Sequence, residues 1–193
     1  MKIGIMGGTF NPIHIGHMHI ADVALKRMNL DCVLFCPTGN SYTKDQSEIV
    51  SALDRFVMVG IAIEKNDEFN VSSVDIIRQG PTYAIDTIQQ LKVIFPHDDL
   101  FFIMGTDAFN ELPTWKDYDK LIKLTKFIVV KRKNEVNRVL TDEEQERVYL
   151  LDNDIETDIS STQIRKAIKE NKPCKYLLPP GVYKYIETKQ FYK

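Results

Sequence analysis

Residues 7–17 read GGTFNPIHIGH, and the rest of the chain is arranged around this turn. A short apolar strand pattern precedes it at residues 3–6, and a helical pattern begins near His17. Gly7 and Gly8 have no Cβ, so the backbone there can approach a ligand closely. The start of a helix offers unpaired N–H groups and the positive end of the helix dipole. A strand, a glycine turn and a helix in this order therefore predict an anion site, which we interpret as a site for a triphosphate.

Three histidines in and after the turn admit two interpretations. His14 and His17 are three residues apart, so both can face the anion site at the start of the helix. A zinc site that also uses His19 is the alternative, but His17 and His19 are two apart and would diverge on a helix. No Cys and no HExxH motif lies nearby to complete a metal site. We therefore expect His14 and His17 to bind phosphates, and we expect no metal ligands in the chain.

The bulk composition excludes several classes of protein. The chain has 193 residues, which fits one domain over residues 1–193. A net charge of −2 argues against a broad electrostatic interaction with nucleic acid. No apolar run is long enough for a membrane span, and the first residues already follow a strand pattern, so we expect no signal segment. Cys32, Cys36 and Cys174 are odd in number and lack metal spacing, which predicts a reducing, cytoplasmic setting.

Strand and helix patterns alternate along the chain. After the first strand, apolar runs predict strands at residues 31–36, 69–76, 100–104, 127–130 and 148–151. Helical spacing predicts the main helices at residues 17–28, 47–64, 82–95, 118–122, 161–171 and 180–188. This alternation predicts an α/β, Rossmann-like doubly wound, mostly parallel sheet of five to six strands, with helices on both faces and a C-terminal helical extension. Residues 131–147 are mostly charged, and we expect them to form a surface excursion.

Two further stretches bear on the anion site. Ligands of doubly wound sheets bind at the carboxyl ends of strands, and Gly105–Asp107 follows the fourth strand, as the glycine turn follows the first. The other stretch is SSTQIR at residues 160–165. Ser160 and Gln163 fit a capping box, while Arg165 could bind phosphate oxygens. Because a helix cap and an anion site use the same geometry, the residues leave both interpretations open.

Together these motifs resemble a known family. The residues HIGH at positions 14–17 are the signature of the HIGH-motif nucleotidyltransferase superfamily. The glycine turn combined with ISSTQIR at residues 159–165 resembles the bacterial nicotinate-mononucleotide adenylyltransferases. The resemblance continues through RQGPTY at 78–83, FIMGTD at 102–107 and LPTW at 112–115. It therefore covers nearly the whole chain.

The resemblance implies a reaction of NAD biosynthesis. ATP and nicotinate mononucleotide would give nicotinate adenine dinucleotide and pyrophosphate. The nucleophile would be a phosphate oxygen that is already charged at pH 7, so it could attack the α-phosphorus directly and in line, without a covalent intermediate. Catalysis would then consist of positioning and charge neutralisation. Mg²⁺ would arrive with ATP and need few protein ligands.

The resemblance also implies which side chains act in this reaction. His14 and His17 would donate hydrogen bonds to the phosphates, and Lys44 would reach a phosphate from the loop after the second strand. These three residues form the expected catalytic set. The residues expected to bind ATP, of which the last three would take the outgoing pyrophosphate, are Gly7, Gly8, Thr9, Phe10, His14, His17, Gly105, Asp107, Arg132, Ser161, Thr162 and Arg165.

The acceptor substrate would lie at the other end of the site. By the same resemblance, Trp115 would stack on the pyridine ring and Asp107 would lie at the ribose end. Thr82 and Tyr83, at the start of a helix, would offer backbone N–H groups to the nicotinate carboxylate. The residues expected to bind this substrate are Thr9, Lys44, Thr82, Tyr83, Asp107 and Trp115.

One stretch departs from the family pattern. The family usually has Pro-Pro-His-Lys in the loop after the second strand, whereas residues 40–44 of this chain read NSYTK. The lysine remains as Lys44, but the prolines and the histidine are replaced by flexible polar residues. The change bears on substrate choice and turnover.

Other functions remain to be weighed against this one. The nearest alternative is an adenylyltransferase for nicotinamide mononucleotide, since the choice of acid or amide depends on where N–H groups point. Phosphopantetheine fits less well with the Thr82–Tyr83 stretch and Trp115. A class I aminoacyl-tRNA synthetase shares the HIGH signature, but this chain is short and lacks a Lys-Met-Ser-Lys-Ser loop.

Two alternatives come from other classes. A non-catalytic nucleotide-binding relative would keep the glycine turn and lose the phosphate donors, whereas this chain keeps His14, His17, Lys44 and Arg165. A metal-dependent hydrolase that uses the histidines would need carboxylate partners, which are missing around the turn. We expect ATP and nicotinate mononucleotide as partners, with no nucleic acid and no membrane, and the sequence leaves open whether the chain forms a homo-oligomer.

Overall fold

The described strands form one parallel sheet. The computed structural model describes residues 1–40, 49–131, 138–152 and 159–193. The strands within these ranges are β1 (Lys2–Gly8), β2 (Cys32–Pro37), β3 (Phe69–Val71), β4 (Asp99–Gly105), β5 (Lys126–Val130) and β6 (Val148–Leu151). Their order is β3-β2-β1-β4-β5-β6, and all neighbouring pairs are parallel. The predicted doubly wound α/β class is confirmed, with six strands in the described sheet.

The turn after β1 occupies a special place in this sheet. β1 lies in the middle, and the chain adds β2 and β3 on one side before it returns to β4 on the other. In such sheets a crevice opens outside the carboxyl ends of the strands, at the point where the strand order reverses. Gly8 at the end of β1 pairs with Pro37 at the end of β2, so both strands end side by side at the crevice.

Helices cover both faces of the sheet. The helices of the described ranges are α1 (Ile15–Met28), α2 (Ala52–Ile63), α3 (Val74–Ile77), α4 (Ala84–Ile94), α5 (Thr106–Glu111), α6 (Tyr118–Leu124), α7 (Asp142–Gln145), α8 (Ser161–Lys169) and α9 (Pro180–Lys189). Short 3-10 turns at Leu112–Thr114 and Lys175–Leu177 complete the regular structure. Of these helices, none combines the length and the apolar character needed to cross a membrane.

Two apolar cores hold the helices against the sheet. On one face α1, α2, α8 and α9 pack together, with buried residues such as Leu25, Val59 and Val182. On the other face α4, α5 and α6 pack together, with buried residues such as Ile88 and Phe109. Each fully buried aliphatic side chain contributes about 1.5–3 kcal/mol relative to exposure. The strands read as continuous apolar runs because both of their faces are covered.

Two helix starts can be compared with their predicted caps. The Ser160 hydroxyl accepts a hydrogen bond from the Gln163 N–H over 3.2 Å, and the Gln163 side chain accepts from the Ser160 N–H over 3.0 Å. The predicted capping box is therefore confirmed. The second predicted helix begins later than expected, at Ala52, because Ser51 caps it by accepting from the Asp54 N–H over 3.0 Å.

The predicted strand at residues 69–76 is too long. β3 ends at Val71, and α3 begins three residues later. The Ser72 hydroxyl accepts a hydrogen bond from the Val74 N–H over 3.2 Å, and this local bond competes with continuation of the ladder. A short apolar run fits a buried strand and a buried helical turn equally well, which explains the error.

The expectation of a surface excursion at residues 131–147 holds for most of the part that the structure describes, where Glu144 is the one buried residue. Glu144 of α7 is completely buried and accepts hydrogen bonds from the Arg138 guanidinium and, over 2.6 Å, from the Tyr118 hydroxyl. Burial alone would raise the pKa of Glu144, but these hydrogen bonds outweigh it and lower the pKa to about 2. The charged sequence thus includes a buried ion pair.

Candidate active site

The glycine turn has a strained and tightly packed backbone. Phe10 is buried and has a φ of 50°, in the left-handed region that bulky residues rarely adopt. A Cβ on Gly8 would lie 3.0 Å from the Phe10 ring, so only a glycine fits there without displacing it. The Phe10 ring also contacts the His17 ring edge to face, with 5.1 Å between centroids. The turn therefore places a backbone bend directly beside the first helix.

The two histidines of the turn contact each other. Their rings stack with centroids 3.7 Å apart, and the backbone N–H of His14 donates to Nδ1 of His17 over 3.2 Å. A neutral imidazole whose Nδ1 accepts carries its proton on Nε2, so Nε2 of His17 is a donor. A Cβ on Gly16 would lie 3.1 Å from Nδ1 of His14, which explains the glycine between them. His14 itself is buried, at 4% exposure.

A cavity of about 470 Å³ opens at the carboxyl ends of β1 and β4, beside the starts of α4 and α5. We call it the central cavity, and its volume is typical of small-molecule sites. Nine of the residues predicted to bind ATP or the acceptor line it: Gly7, Gly8, Thr9, His17, Thr82, Tyr83, Gly105, Asp107 and Trp115. Residues assigned to two different substrates thus share one cavity.

The start of α4 forms one wall of the central cavity. Tyr83, rather than Thr82, is the residue that precedes the helix, and no side chain caps this helix start. The Thr82 hydroxyl accepts from the Gly39 N–H over 3.1 Å, and the Thr82 N–H donates to the Asn40 carbonyl over 2.9 Å. The expected donation from the Thr82 N–H to a carboxylate would therefore have to replace an existing hydrogen bond.

The aromatic rings of Trp115 and Phe102 also line the central cavity. Trp115 is half-buried, and its ring meets the Phe102 ring of β4 edge to face, with 5.7 Å between centroids. Lys116 follows it and holds its ammonium 4.4 Å from the centroid of the Tyr83 ring. Trp115 therefore lies in the cavity with its orientation fixed by a core residue.

The second signature docks directly on the glycine turn. The Ser161 hydroxyl donates to the Pro12 carbonyl over 2.9 Å, and the Arg165 guanidinium donates to the Asn11 carbonyl over 3.1 Å. The start of α8 thus caps its own helix and binds the turn at the same time. Two stretches separated by about 150 residues of sequence meet at one place in the fold.

Thr162 and Arg165 do not line the central cavity. They line a second cavity, also of about 470 Å³, together with Lys166, Lys169 and Lys193. We call it the basic cavity. Because Arg165 also contacts the turn, the basic cavity adjoins the turn on the side of α8. The predicted ATP residues that line a cavity are therefore divided between two neighbouring cavities, while Phe10, His14 and Ser161 line neither.

Arg55 of α2 is a residue that the sequence analysis missed. Its side chain is 1% exposed, and its guanidinium donates to the carbonyls of Val50, Thr9 and Gly39 over 3.1, 2.8 and 2.9 Å. Burial lowers the pKa of this guanidinium. Arg55 thereby ties the glycine turn to the segment after β2, behind the wall of the central cavity. A helical pattern alone gives no sign of this contact.

Asp75 of α3 is a second such residue. It is 2% exposed, lines the central cavity, and accepts hydrogen bonds from Arg78 over 2.6 Å and from the Thr87 hydroxyl over 2.7 Å. Burial raises the pKa of Asp75, although both hydrogen bonds act in the opposite direction. The Thr87 hydroxyl and the Arg78 donation to the Gln90 side chain over 2.6 Å join α3 to α4, and so they support the cavity wall formed by the start of α4.

Two predicted site residues cannot be placed. Lys44 and Arg132 lie outside the described residues. Among the residues that are described, no three His, Cys, Asp or Glu side chains cluster as a metal site would require. His19 is half-buried on α1 and does not line the central cavity.

The fold and the site together define a class of protein. A parallel sheet of this order, with a glycine turn, stacked histidines and a docked Ser-Thr-Arg helix start at its switch point, is that of an α/β nucleotidyltransferase. A family model described as "Cytidylyltransferase-like" matches residues 5–167, and the chain belongs to this family.

Similar proteins define the branch within this family. A "Probable nicotinate-nucleotide adenylyltransferase" of Corynebacterium glutamicum is 41% identical over 194 residues, covering 100% of this chain and 88% of that protein. One of the same name from Methylacidiphilum infernorum is 38% identical, covering 99% and 92%. The chain is therefore a member of the nicotinate-nucleotide adenylyltransferases, as the resemblance in its motifs implied.

Solved structures agree with this fold. Plasmodium falciparum nicotinic acid mononucleotide adenylyltransferase, complexed with NaAD, superposes with a TM-score of 0.82 and covers 99% of this chain and 97% of that chain. The same protein complexed with APC gives a TM-score of 0.78. At 19% identity these likenesses concern the fold alone.

Proposed function

We propose that the chain transfers the adenylyl group of ATP to nicotinate mononucleotide, giving nicotinate adenine dinucleotide and pyrophosphate. The observation that carries this proposal is the central cavity, which is lined both by the glycine turn with His17 and by Tyr83 and Trp115. An α-phosphate beside the turn and a pyridine ring beside Trp115 would then meet in one site. The names of the similar proteins support the same acceptor.

The proposed chemistry is a single displacement at the α-phosphorus. A phosphate oxygen of nicotinate mononucleotide forms a bond to this phosphorus, and the bond to the bridging oxygen of pyrophosphate breaks, with its electron pair leaving on pyrophosphate. The nucleophile is already an anion, so no base is required. The Nε2–H of His17 would donate to an oxygen of the α-phosphate, where it would stabilise charge that grows in the transition state.

Positioning would come from the surrounding backbone. Thr9 and Phe10 would hold the attacking phosphate at the bend of the turn, which Arg55 fixes through the Thr9 carbonyl over 2.8 Å. Arg165 and the Thr162 hydroxyl would take the leaving pyrophosphate in the adjoining basic cavity, and the Ser161 hydroxyl would have to leave the Pro12 carbonyl to join them. Lys44 is proposed to contribute a further positive charge. Alignment of two bound reactants can supply a large share of the rate enhancement.

The donor groups around the turn also bear on the role of Mg²⁺. Imidazole, hydroxyl and backbone N–H groups suit phosphate oxygens, whereas Mg²⁺ prefers oxygen ligands and keeps several waters. We therefore propose that the protein holds ATP and that the phosphates of ATP hold Mg²⁺. When bound, the ion would neutralise charge on the outgoing pyrophosphate.

The deciding experiment measures pyrophosphate release with Mg-ATP and one acceptor at a time. The acceptors are nicotinate mononucleotide, nicotinamide mononucleotide and phosphopantetheine. We expect kcat/KM for nicotinate mononucleotide to exceed the other two by about a hundredfold, which corresponds to about 2.7 kcal/mol in transition-state binding.

Two outcomes would contradict the proposal. A higher kcat/KM for nicotinamide mononucleotide would mean that the amide, and not the acid, is the acceptor substrate. If the protein binds ATP but no acceptor leads to pyrophosphate release, the chain is a nucleotide-binding relative without this catalytic activity.

The setting of the protein is proposed on separate grounds. The thiols of Cys32, Cys36 and Cys174 are free, which supports a reducing, cytoplasmic compartment. We propose ATP and nicotinate mononucleotide as its partners rather than nucleic acid or a membrane. Size-exclusion chromatography with light scattering would measure whether it forms a homo-oligomer.

A further inference from the structure

The described residues that line the central cavity include more carboxylates than ammonium groups, although the proposed substrates are anions. Among the described lining residues, the carboxylates are Asp75, Asp107 and Glu111, and Lys116 is the one lysine or arginine. Asp75 is paired with Arg78 over 2.6 Å, which offsets its charge. Lys116 is therefore the one described ammonium or guanidinium that lines the part of the cavity where an acceptor would lie.

The ammonium of Lys116 is held at a defined place. It lies 4.4 Å from the centroid of the Tyr83 ring and 3.5 Å from Oδ2 of Asp86. Tyr83 immediately precedes α4, and Asp86 is in its first turn. An ammonium above an aromatic face is attracted by the ring quadrupole, and the carboxylate adds a second attraction. Both contacts keep the charge beside the start of α4.

At the start of α4, the carboxylate of Asp86 would repel a second negative charge. A helix start attracts anions through its N–H groups and its dipole, but Asp86 already occupies the first turn with a carboxylate. Lys116 offsets that carboxylate. A substrate carboxylate that reaches this wall would meet the helix start and an ammonium, whereas a neutral amide would gain much less from either.

We propose that Lys116 is a specificity-determining residue that favours a carboxylate-bearing pyridine nucleotide over its neutral amide. This inference rests on the proposed function and adds the residue that selects the acid. The simpler interpretation is that Lys116 is an exposed partner of Asp86, and many exposed ion pairs have little effect. The two interpretations differ in one measurable quantity, the ratio of kcat/KM for acid and amide.

The test measures kcat/KM with nicotinate mononucleotide and with nicotinamide mononucleotide for four proteins. These are the wild type, Lys116→Met, Lys116→Arg and the control Lys120→Met. Lys120 is on α6, is 72% exposed, pairs with Asp117 over 3.6 Å and does not line the central cavity. The control therefore removes a neighbouring positive charge of the same type. Melting temperatures establish that each variant is folded.

We expect Lys116→Met to lower the acid-to-amide ratio by about tenfold, mainly through a higher KM for the acid. Lys116→Arg should keep most of the preference, and Lys120→Met should keep all of it. Asp86→Asn should raise the ratio, because Lys116 would no longer share its charge. Added salt should reduce the preference of the wild type more than that of Lys116→Met.

Failure of the inference can be told from failure of the proposed function. If the wild type prefers the acid and Lys116→Met keeps a ratio within about twofold of it, the inference is overturned while the proposed function stands. If the wild type shows no preference for the acid, the proposed function is contradicted first, and the inference falls with it.

Discussion

At the scale of single residues, the site depends on where hydrogen atoms are placed. The backbone N–H of His14 fixes Nδ1 of His17 as an acceptor, and the stacked ring of His14 limits how His17 can turn. His17 also lines the central cavity. The two histidines can make these contacts because they are three residues apart at the start of α1.

For His17→Ala we expect a loss of about 10²–10³ in kcat with little change in the KM for ATP, because the donor acts on charge that develops in the transition state. Steady-state pyrophosphate release measures both constants. His19→Ala is the matched control, since His19 is on the same helix and does not line the central cavity. A near-normal kcat in His17→Ala would refute the assigned role.

For Arg55→Met we expect a loss of stability of about 3 kcal/mol, because one buried and two partly buried carbonyls would lose a charged donor. Urea unfolding followed by circular dichroism measures this free energy. Lys65→Met is a suitable control, since Lys65 is exposed just after the same helix. If Arg55→Met unfolds at the same urea concentration as wild type, the guanidinium contributes nothing net to the fold.

At the scale of elements, two short segments carry more than their length suggests. α8 caps itself through Ser160 and docks on the turn through Ser161 and Arg165, so the cap is confirmed, while phosphate binding by Arg165 stays a prediction. α7 is four residues long, yet its buried Glu144 binds Arg138, which in turn donates to the Phe109 carbonyl of α5 over 3.3 Å. α5 carries Asp107 into the central cavity.

Stability should depend on pH through Glu144. Its pKa is about 2 in the folded protein and ordinarily 4.5, so its contribution is fully present above about pH 5 and is lost as the pH falls towards 2. Glu144→Gln should therefore be destabilised near neutral pH, and its difference from wild type should shrink between pH 4.5 and 2. Urea unfolding at a series of pH values measures this. Glu143→Gln, which changes an exposed neighbour, should follow the wild type throughout, whereas a pH-independent effect of Glu144→Gln would contradict the assignment.

At the scale of the whole molecule, distant segments converge on the turn after β1. Tyr192 at the end of the chain donates to the Asn11 side chain over 2.8 Å, across 181 residues of sequence. Val50 donates to the same side-chain oxygen over 3.2 Å. The turn is thus held by α8, by the C-terminal segment and by the residues before α2, so ligand binding there should stabilise the whole fold.

We expect nicotinate adenine dinucleotide at a hundred times its Kd to stabilise the protein by about 2.7 kcal/mol. For a chain of this size, that corresponds to a rise in Tm of about 5–10 °C. Differential scanning fluorimetry measures the shift, with nicotinamide adenine dinucleotide as the comparison. An unchanged Tm at saturating product would mean that the central cavity does not bind it.

The sequence alone determined the features that depend on local order. Alternating apolar runs predicted the parallel sheet, and Ser160 with Gln163 predicted a helix cap, and both are confirmed, whereas the anion site after β1 stays a prediction. These features follow from backbone conformation and short-range hydrogen bonds, which neighbouring residues encode. The motif order was specific enough to identify the family as well.

The tertiary structure decided which distant side chains meet. Arg55 donates to Thr9 across 46 residues, and Glu144 loses its solvent because Tyr118 and Arg138 pack over it. Whether a polar residue is exposed or buried depends on what the rest of the chain places beside it, and no local periodicity encodes that. For the same reason, Lys116 reads as one charge among many in the sequence. The fold alone places it over Tyr83 at the wall of the central cavity.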